Sequence, residues 1–151
     1  MACEDAALAA SVVSAIRSLD RSLILLAPAL SKLALAGMAA GLPVATEIFA
    51  DRAYTDAGSL VPRSQPGAVL HTAEACVAQV LRMCDAGGIV SAGGQRIRTD
   101  FHSICVHGDG PQAVVVATAV RSALLAAGVS LLPLPEVLQG PRDRDVSPAM
   151  V

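Results

Sequence analysis

The stretch that decides the fold is Ser103-Ile-Cys-Val-His-Gly-Asp-Gly-Pro111. It begins as a short apolar run and ends in a glycine-rich turn, and a strongly helical pattern follows it. This order predicts a β-strand that runs into an α-helix, with His107 and Asp109 at the junction. In α/β folds, ligands and catalytic groups gather at this end of a strand. The stretch therefore predicts an α/β fold with a candidate site at the junction.

Composition limits the classes of partner. The chain has 151 residues, of which 54% are hydrophobic and 2% aromatic, and its net charge is −2. This length suits one domain, and the charge and scarcity of aromatic rings argue against nucleic acid as a partner. Pro28, Gly37 and other breakers interrupt the most apolar window, residues 23–45, which argues against a membrane span. Because Glu4 and Asp5 stand where an export signal carries basic residues, we expect a cytoplasmic protein.

The cysteines do not suggest a cofactor. They are Cys3, Cys76, Cys84 and Cys105, and they show neither a CxxC pair nor zinc spacing. Buried, reduced thiols are the interpretation that we favour. No two potential metal ligands of any type fall at a diagnostic spacing, so the sequence does not support a metal site built from this chain alone.

Helical and extended patterns alternate along the chain. Helices are predicted at residues 3–19, 31–40, 72–86 and 111–127, and strands at residues 22–27, 43–50, 103–107 and 129–132. A β-hairpin around Gly93-Gly94, expected on the surface, interrupts the alternation. The alternation predicts a parallel sheet covered by helices. Since a closed (β/α) barrel needs about 250 residues, the fold is either a small open sheet or part of a larger barrel.

Two segments lack a periodic pattern. Residues 55–71 are rich in Gly, Pro and polar residues, and long loops of this kind inside a domain tend to be functional or mobile. Residues 133–151 hold four prolines and the charged run 142–145. We expect residues 1–132 to form the domain and residues 133–151 to be a disordered tail.

Charged residues cluster at the end of the second long strand. Glu47 lies within it, and Asp51 and Arg52 directly follow it. A carboxylate in a buried strand is costly unless it is paired or lies at the strand end. Two alternatives stay open. In the first, Glu47 or Asp51 forms a structural ion pair with Arg52. In the second, all three side chains face a cleft, in which Arg52 binds a carboxylate or phosphate of a ligand.

The junction after the 103–107 strand also leaves alternatives. His107 can serve as acid, base or metal ligand. Asp109 is either a catalytic carboxylate or the N-cap of the next helix, with Pro111 at the first helical position. His71 and His102 lie at element ends beside polar neighbours, and we expect both to be solvated.

Three motifs resemble those of one family. Glu47-Ile-Phe-Ala-Asp-Arg-Ala-Tyr54, Pro66-Gly-Ala-Val-Leu-His71 and Ser103-Ile-Cys-Val-His-Gly-Asp109 are similar to the C-terminal motifs of the LamB/YcsF family. The resemblance runs over about residues 1–132. It implies a TIM-like (β/α) barrel of the glycoside hydrolase/deacetylase type. It also implies catalytic roles for Glu47, Asp51, His107 and Asp109, and substrate binding by Arg52 and Tyr54.

The resemblance also implies an activity. Family members take part in the ATP-dependent hydrolysis of the lactam of 5-oxo-L-proline to L-glutamate, together with B and C subunits of 5-oxoprolinase. ATP is therefore the expected cofactor, and a divalent metal stays open.

The resemblance does not include the family's N-terminal motifs. Asp-Leu-Asn, Cys-Gly-x-His-Ala-Gly-Asp, His-Pro-Gly and Lys-Pro-His-Gly-Ala-Leu-Tyr do not occur in this sequence. We therefore expect a C-terminal portion of a longer protein, through truncation, a split gene or a misassigned start. The alternative function is a non-catalytic fragment or scaffold that docks on partner subunits. Open parallel sheet edges invite association, so a homo-oligomer stays open as well.

Overall fold

A computed structural model gives the structure of the protein and describes residues 2–139. The elements follow the order α1 (Ala6–Leu19), β1 (Leu25–Pro28), α2 (Lys32–Ala39), β2 (Val44–Phe49), α3 (Ala73–Ala86), β3 (Gly88–Val90), β4 (Arg96–Arg98), β5 (Ser103–Cys105), α4 (Ala113–Ala126) and α5 (Leu134–Gln139). The first, second and fifth strands form a parallel sheet in the order β1-β2-β5, and β3 pairs with β4 as an antiparallel hairpin. The predicted α/β class is confirmed. The sheet does not close within these residues, so the barrel stays a prediction.

Side-chain caps fix where several helices begin. Asp5 accepts hydrogen bonds from the backbone of Ala7 and Leu8 at 2.8 and 3.0 Å. Ser31 caps α2 and Thr72 caps α3 in the same way. Each cap satisfies a backbone N–H that has no partner inside the helix. The starts of α2 and α3 were predictable because Ser31 and Thr72 directly precede helical patterns, whereas α1 begins at Ala6 and not at residue 3 as predicted.

Two buried clusters lie at the carboxyl end of β2, and another lies between α1, α2 and β1. The helices α1 and α2 cover β1 through a cluster that includes Val13, Leu25 and Ala34. A second cluster joins α3 and α4 to Ala50, the residue that follows β2. A third contains Ile48, which is fully buried. Burial of a side chain of this size contributes about 1.5–3 kcal/mol. The end of β2 is therefore held from several sides.

The hairpin is exposed at its turn, residues 92–96, as the sequence predicted, but its first strand is buried. Ile89 of β3 is fully buried and packs with Met83 of α3 in the core. The backbone of Gly88 lies so close to β4 that an added Cβ would be 2.2 Å from the carbonyl oxygen of Ile97. Of the two turn glycines, Gly94 has the positive φ, +84°. The surface placement was wrong for β3 alone, because the alternating pattern does not show that Ile89 faces α3.

Two predictions near the end of the described chain were also wrong. Residues 129–132 pair with no strand of the described sheets, and Val129, Leu131 and Leu132 are all exposed. Residues 134–139, predicted to be disordered, form α5. Pro135 falls in its first turn, where proline is compatible with a helix. Residues 140–151 of the predicted tail lie outside the described residues. No helix within residues 2–139 is long and apolar enough to cross a membrane.

Candidate active site

Asp51 and His107 form a close pair at the carboxyl ends of two neighbouring strands. His107 Nδ1 lies 2.8 Å from each carboxylate oxygen of Asp51, and the side chains are 26% and 12% exposed. With a carboxylate as partner, the neutral ring carries its proton on Nδ1, and Nε2 keeps a lone pair. This arrangement leaves Nε2 able to accept and return a proton. The sequence had grouped His107 with Asp109 in proton transfer, and the structure pairs it with Asp51 instead.

Phe49 contributes to the orientation of the imidazole. The rings of Phe49 and His107 stack with centroids 5.6 Å apart and an angle of 23° between their planes. Phe49 is itself packed in the core. The histidine ring is therefore restrained on one face by packing and at one edge by a hydrogen bond.

Arg52 is buried and binds the backbone of the long loop. Its side chain donates from Nη2 to the carbonyl of Val61 at 2.7 Å and from Nε to that of Ala68 at 3.3 Å. Burial lowers the pKa of its guanidinium, Arg63 adds to this, and Asp51 opposes it. No ion pair joins Arg52 to Glu47 or Asp51 among the described residues. The structural ion-pair alternative was therefore wrong, and ligand binding by Arg52 stays a prediction.

Glu47 lies half-buried on β2. Burial raises the pKa of its carboxyl, and the nearby His107 opposes that rise. Tyr54 is buried and accepts a hydrogen bond from the backbone of Phe49 at 2.8 Å. Burial also raises the pKa of the phenol. Neither residue lines the pocket of His107, and Tyr54 lines a separate cavity of about 180 Å³. Their catalytic and binding roles stay predictions.

One pocket of about 360 Å³ brings most of the predicted site residues together. It is lined by Asp51, Arg52, Arg63, Val69, Leu70, His71, Val106, His107, Asp109, Gly110, Pro111, Gln112, Ala113 and Val116. Asp109 is exposed on its wall and does not cap α4, which begins after Gln112 without a side-chain cap. The cap alternative was therefore wrong. Arg63 and His71 were missed as pocket residues, although the polar composition of the 55–71 loop was a usable signal.

Two further side chains differ from expectation. His102 is partly buried, and its Nδ1 accepts a hydrogen bond from the backbone of Thr46 at 3.1 Å. Gln79 was not singled out by the sequence, and it is buried beside the end of β2. Nothing in the helical pattern marked it, because polar residues on helices usually face solvent.

The described residues do not assemble a metal site. No cluster of three His, Cys, Asp or Glu side chains in residues 2–139 could hold a metal ion. The four cysteines are free thiols, and Cys105 lies on β5 near the pocket. Burial, with the negative charges of Glu47 and Asp51, raises the pKa of its thiol to about 11. A neutral thiol is a poor nucleophile, and Cys105 does not line the pocket of His107.

Comparison with known proteins gives consistent matches. The chain is 59% identical over 136 residues to the A subunit of 5-oxoprolinase from Azoarcus sp. (strain BH72), covering 90% of this chain and 53% of that protein. It is 47% identical over 133 residues to that of Nitrobacter winogradskyi, covering 88% of this chain and 52% of that protein. The structure resembles the crystal structure of the lactam utilization protein from Thermus thermophilus, with a TM-score of 0.77 and 34% identity. That match covers 86% of this chain and 51% of the other.

The extent of these matches defines what the chain shares with its relatives. It spans about half the length of the curated relatives that it matches. The model of the LamB/YcsF family matches residues 1–139, which include the Asp51–His107 pair and the pocket around it. The resemblance seen in the sequence motifs is thus confirmed, and the chain belongs to the LamB/YcsF family.

Proposed function

We propose that this chain is a component of a 5-oxoprolinase and contributes the Asp51–His107 pair to the hydrolysis of 5-oxo-L-proline to L-glutamate. Its relatives are named as the A subunit of 5-oxoprolinase, and its structural neighbour is named a lactam utilization protein. The observation that carries the proposal is the 2.8 Å contact of His107 Nδ1 with Asp51 at the wall of a pocket. The pocket volume of about 360 Å³ falls within the range of about 300–1,000 Å³ typical of small-molecule sites.

The pair suits hydrolysis of an amide. A water oxygen attacks the lactam carbonyl carbon while Nε2 of His107 accepts one of the water's protons. Asp51 stabilises the imidazolium that forms, because its carboxylate already bonds Nδ1. The ring C–N bond then breaks, and His107 returns the proton to the departing nitrogen. The oxygen and both hydrogens of the water are thereby incorporated into L-glutamate.

Two arginines suit the substrate's carboxylate. Arg52 keeps N–H donors that its bonds to Val61 and Ala68 do not use, and Arg63 is exposed on the same pocket wall. Guanidinium groups bind carboxylates through paired hydrogen bonds. We therefore assign the substrate carboxylate to this wall, with the lactam carbonyl toward Nε2 of His107.

The proposal extends to the assembled enzyme. ATP is the co-substrate and the B and C subunits are the partners, and no step assigned to His107 needs the nucleotide in this pocket. The described residues contain no group of three side chains that could hold a metal ion, so no proposed step uses a metal. The alternation of helices with parallel strands β1, β2 and β5 supports a place in a TIM-like barrel. Correspondence to the family's C-terminal portion stays a prediction from its motifs.

A ligand titration tests the proposal directly. The chain, labelled with ¹⁵N at histidine, is titrated with 5-oxo-L-proline and, as a control, with L-proline, which lacks the lactam carbonyl. We expect the lactam to shift the His107 ring resonances at concentrations where L-proline does not. Equal responses to both compounds, or a response confined to the distant His102, would contradict the assignment.

A second candidate function is a non-catalytic module that docks on partner subunits. It is favoured by the outer edge of β5, which pairs with no other strand in the described residues. Beside that edge lies an apolar groove of about 490 Å³, whose wall includes the exposed Leu131 and Leu132. Open edges and exposed apolar patches mark association sites.

Turnover separates the two candidates, because both predict assembly with the B and C subunits. A docking module should co-elute with the B and C subunits on size exclusion, and Leu131→Asp should abolish this. Asp51→Asn should then leave glutamate formation by the complex unchanged. A monomeric chain that turns over substrate by itself would eliminate the docking module. Self-association into a homo-oligomer stays a prediction that the same column tests.

A further inference from the structure

We propose that Gln79 is a positioning residue for the acid–base pair, setting the place of Asp51 through the backbone on both sides of it. The inference rests on the proposed function, in which Asp51 orients His107. Gln79 lies on α3, is 5% exposed and does not line the pocket. It therefore acts on the backbone that carries Asp51 and has no direct contact with a ligand in that pocket.

The side-chain amide nitrogen of Gln79 lies within hydrogen-bond distance of three backbone carbonyl oxygens in one short turn. Its Nε2 lies 3.0 Å from the oxygen of Phe49, 3.1 Å from that of Ala50 and 2.8 Å from that of Arg52. The three carbonyls bracket Asp51 in the sequence. They converge because the chain leaves β2 and turns at residues 50–51. One side chain from a neighbouring helix thus fixes the turn before and after the catalytic carboxylate.

Other bonds complete the attachment of this turn. The carbonyl of Asp51 itself accepts from the backbone of Leu70 at 2.9 Å. The backbone of Ala50 donates to the carbonyl of Cys105 at 2.9 Å, which joins the turn to the strand that precedes His107. With Gln79 in place, each carbonyl from Phe49 to Arg52 has a donor. Loss of Gln79 removes the donor from the three that flank Asp51.

The chemistry of the position calls for an amide. Methionine has a similar length but no N–H donor, so Gln79→Met leaves three carbonyl oxygens without this partner. A buried acceptor that loses its partner favours local rearrangement. Because misplacement of a reacting group by about 1 Å can cost about 100-fold in rate, even a small movement of the turn matters.

The test compares Gln79→Met with Val13→Ala. Val13 is buried in the α1–α2 cluster, away from the site, so its truncation controls for a general loss of stability. In the enzyme assembled with the B and C subunits, we expect Gln79→Met to lower kcat about 10- to 100-fold. The KM for 5-oxo-L-proline should change less than kcat, because the Arg52 side chain keeps its own bonds to Val61 and Ala68. Val13→Ala should keep both constants.

A spectroscopic readout on the chain alone separates this proposal from the proposed function. In the wild-type chain, ¹⁵N shifts should report the His107 tautomer with the proton on Nδ1. Gln79→Met should give a mixture of tautomers, and Val13→Ala should not. If Asp51→Asn left turnover unchanged while Gln79→Met altered the tautomer, the proposed function would fail and the positioning role would stand.

Two results overturn the positioning role. One is a wild-type tautomer and wild-type kcat in Gln79→Met. The other is the same tautomer change in Val13→Ala, because the effect would then follow from lost stability. If Gln79→Met does not fold, Gln79→Asn decides by the same readouts, since it keeps the amide but is too short to reach all three carbonyls. Wild-type behaviour of Gln79→Asn overturns the role, and a mixture of tautomers supports it.

Discussion

His107 and Asp51 are 56 residues apart in sequence, yet the imidazole Nδ1 lies 2.8 Å from both oxygens of the carboxylate. The register of the sheet explains this contact. Phe49 of β2 is paired with Cys105 of β5, and Asp51 and His107 each lie two positions beyond a member of that strand pair. A slip of one residue in this register would displace one group along the strands by about 3.3 Å and break the contact. The parallel sheet therefore sets the geometry of the site.

Arg52 should stabilise the fold as well as the site. Arg52→Met removes the bonds to Val61 and Ala68, and we expect the free energy of unfolding to fall by about 1–3 kcal/mol. Arg63→Met is the matched control, because Arg63 carries the same side chain at an exposed position. It should change stability by less than about 0.5 kcal/mol. Urea unfolding measures both, and equal stability of the two variants would show that the buried bonds contribute nothing net.

Glu47 should make stability depend on pH. Burial raises the pKa of this carboxyl above its ordinary value of 4.5. The protonated carboxyl is therefore better tolerated in the folded state than the ionised one. Its contribution to the free energy of unfolding is complete below the unfolded-state pKa and is lost as pH rises through the folded-state pKa. Glu47→Gln should accordingly be more stable than wild type at pH 7, by about 0.5 kcal/mol or less after solvent screening, and should lose that advantage below pH 4.5.

Glu74→Gln is the control for this pH dependence. Glu74 lies in the first turn of α3, where a negative charge is favourable, so its removal should lower stability slightly at pH 7. Unfolding curves at several pH values test both signs. A Glu47→Gln advantage that stays constant from pH 4 to pH 8 would point to packing in place of ionisation.

Gly88 should tolerate no side chain. In Gly88→Ala the added Cβ would meet backbone atoms at 2.2 and 2.8 Å, the carbonyl oxygen of Ile97 and the nitrogen of Thr99. The hairpin must shift, and we expect a loss of about 1–3 kcal/mol. In Gly110→Ala the Cβ would enter open space at a φ that other residues adopt, so stability should change by less than about 0.5 kcal/mol. Thermal unfolding compares the two. Equal melting temperatures would mean that the hairpin adjusts without cost.

Much of the fold was predictable because its signals are local. The caps at Ser31 and Thr72 directly precede helical patterns, and an apolar run before a glycine-rich turn marks β5. The sequence also predicted which residues share the pocket, because parallel strands end at one edge of a sheet. These residues are Asp51, Arg52, His107 and Asp109. Which acid bonds His107 was not predictable, since that choice depends on the pairing register.

The remaining errors involve tertiary contacts. The burial of Gln79 has no local signal, because it depends on hydrogen bonds from its amide to three backbone carbonyls outside its own helix. Residues 129–132 have strand composition, but no described strand pairs with them. Ile89 faces α3 for reasons of packing that its alternating pattern does not contain. In each case the deciding contact depends on how the elements pack, which the local pattern does not contain.

The most direct test of the central claim is glutamate formation by the chain assembled with the B and C subunits. Asp51→Asn and His107→Asn should each lower kcat by about 10²- to 10⁴-fold, as expected for loss of an acid–base group. The double variant should lose no more than His107→Asn alone, because the two groups act as one unit. Asp85→Asn, a control at an exposed position, should stay within about twofold of wild type. Wild-type turnover by Asp51→Asn or His107→Asn would contradict the account.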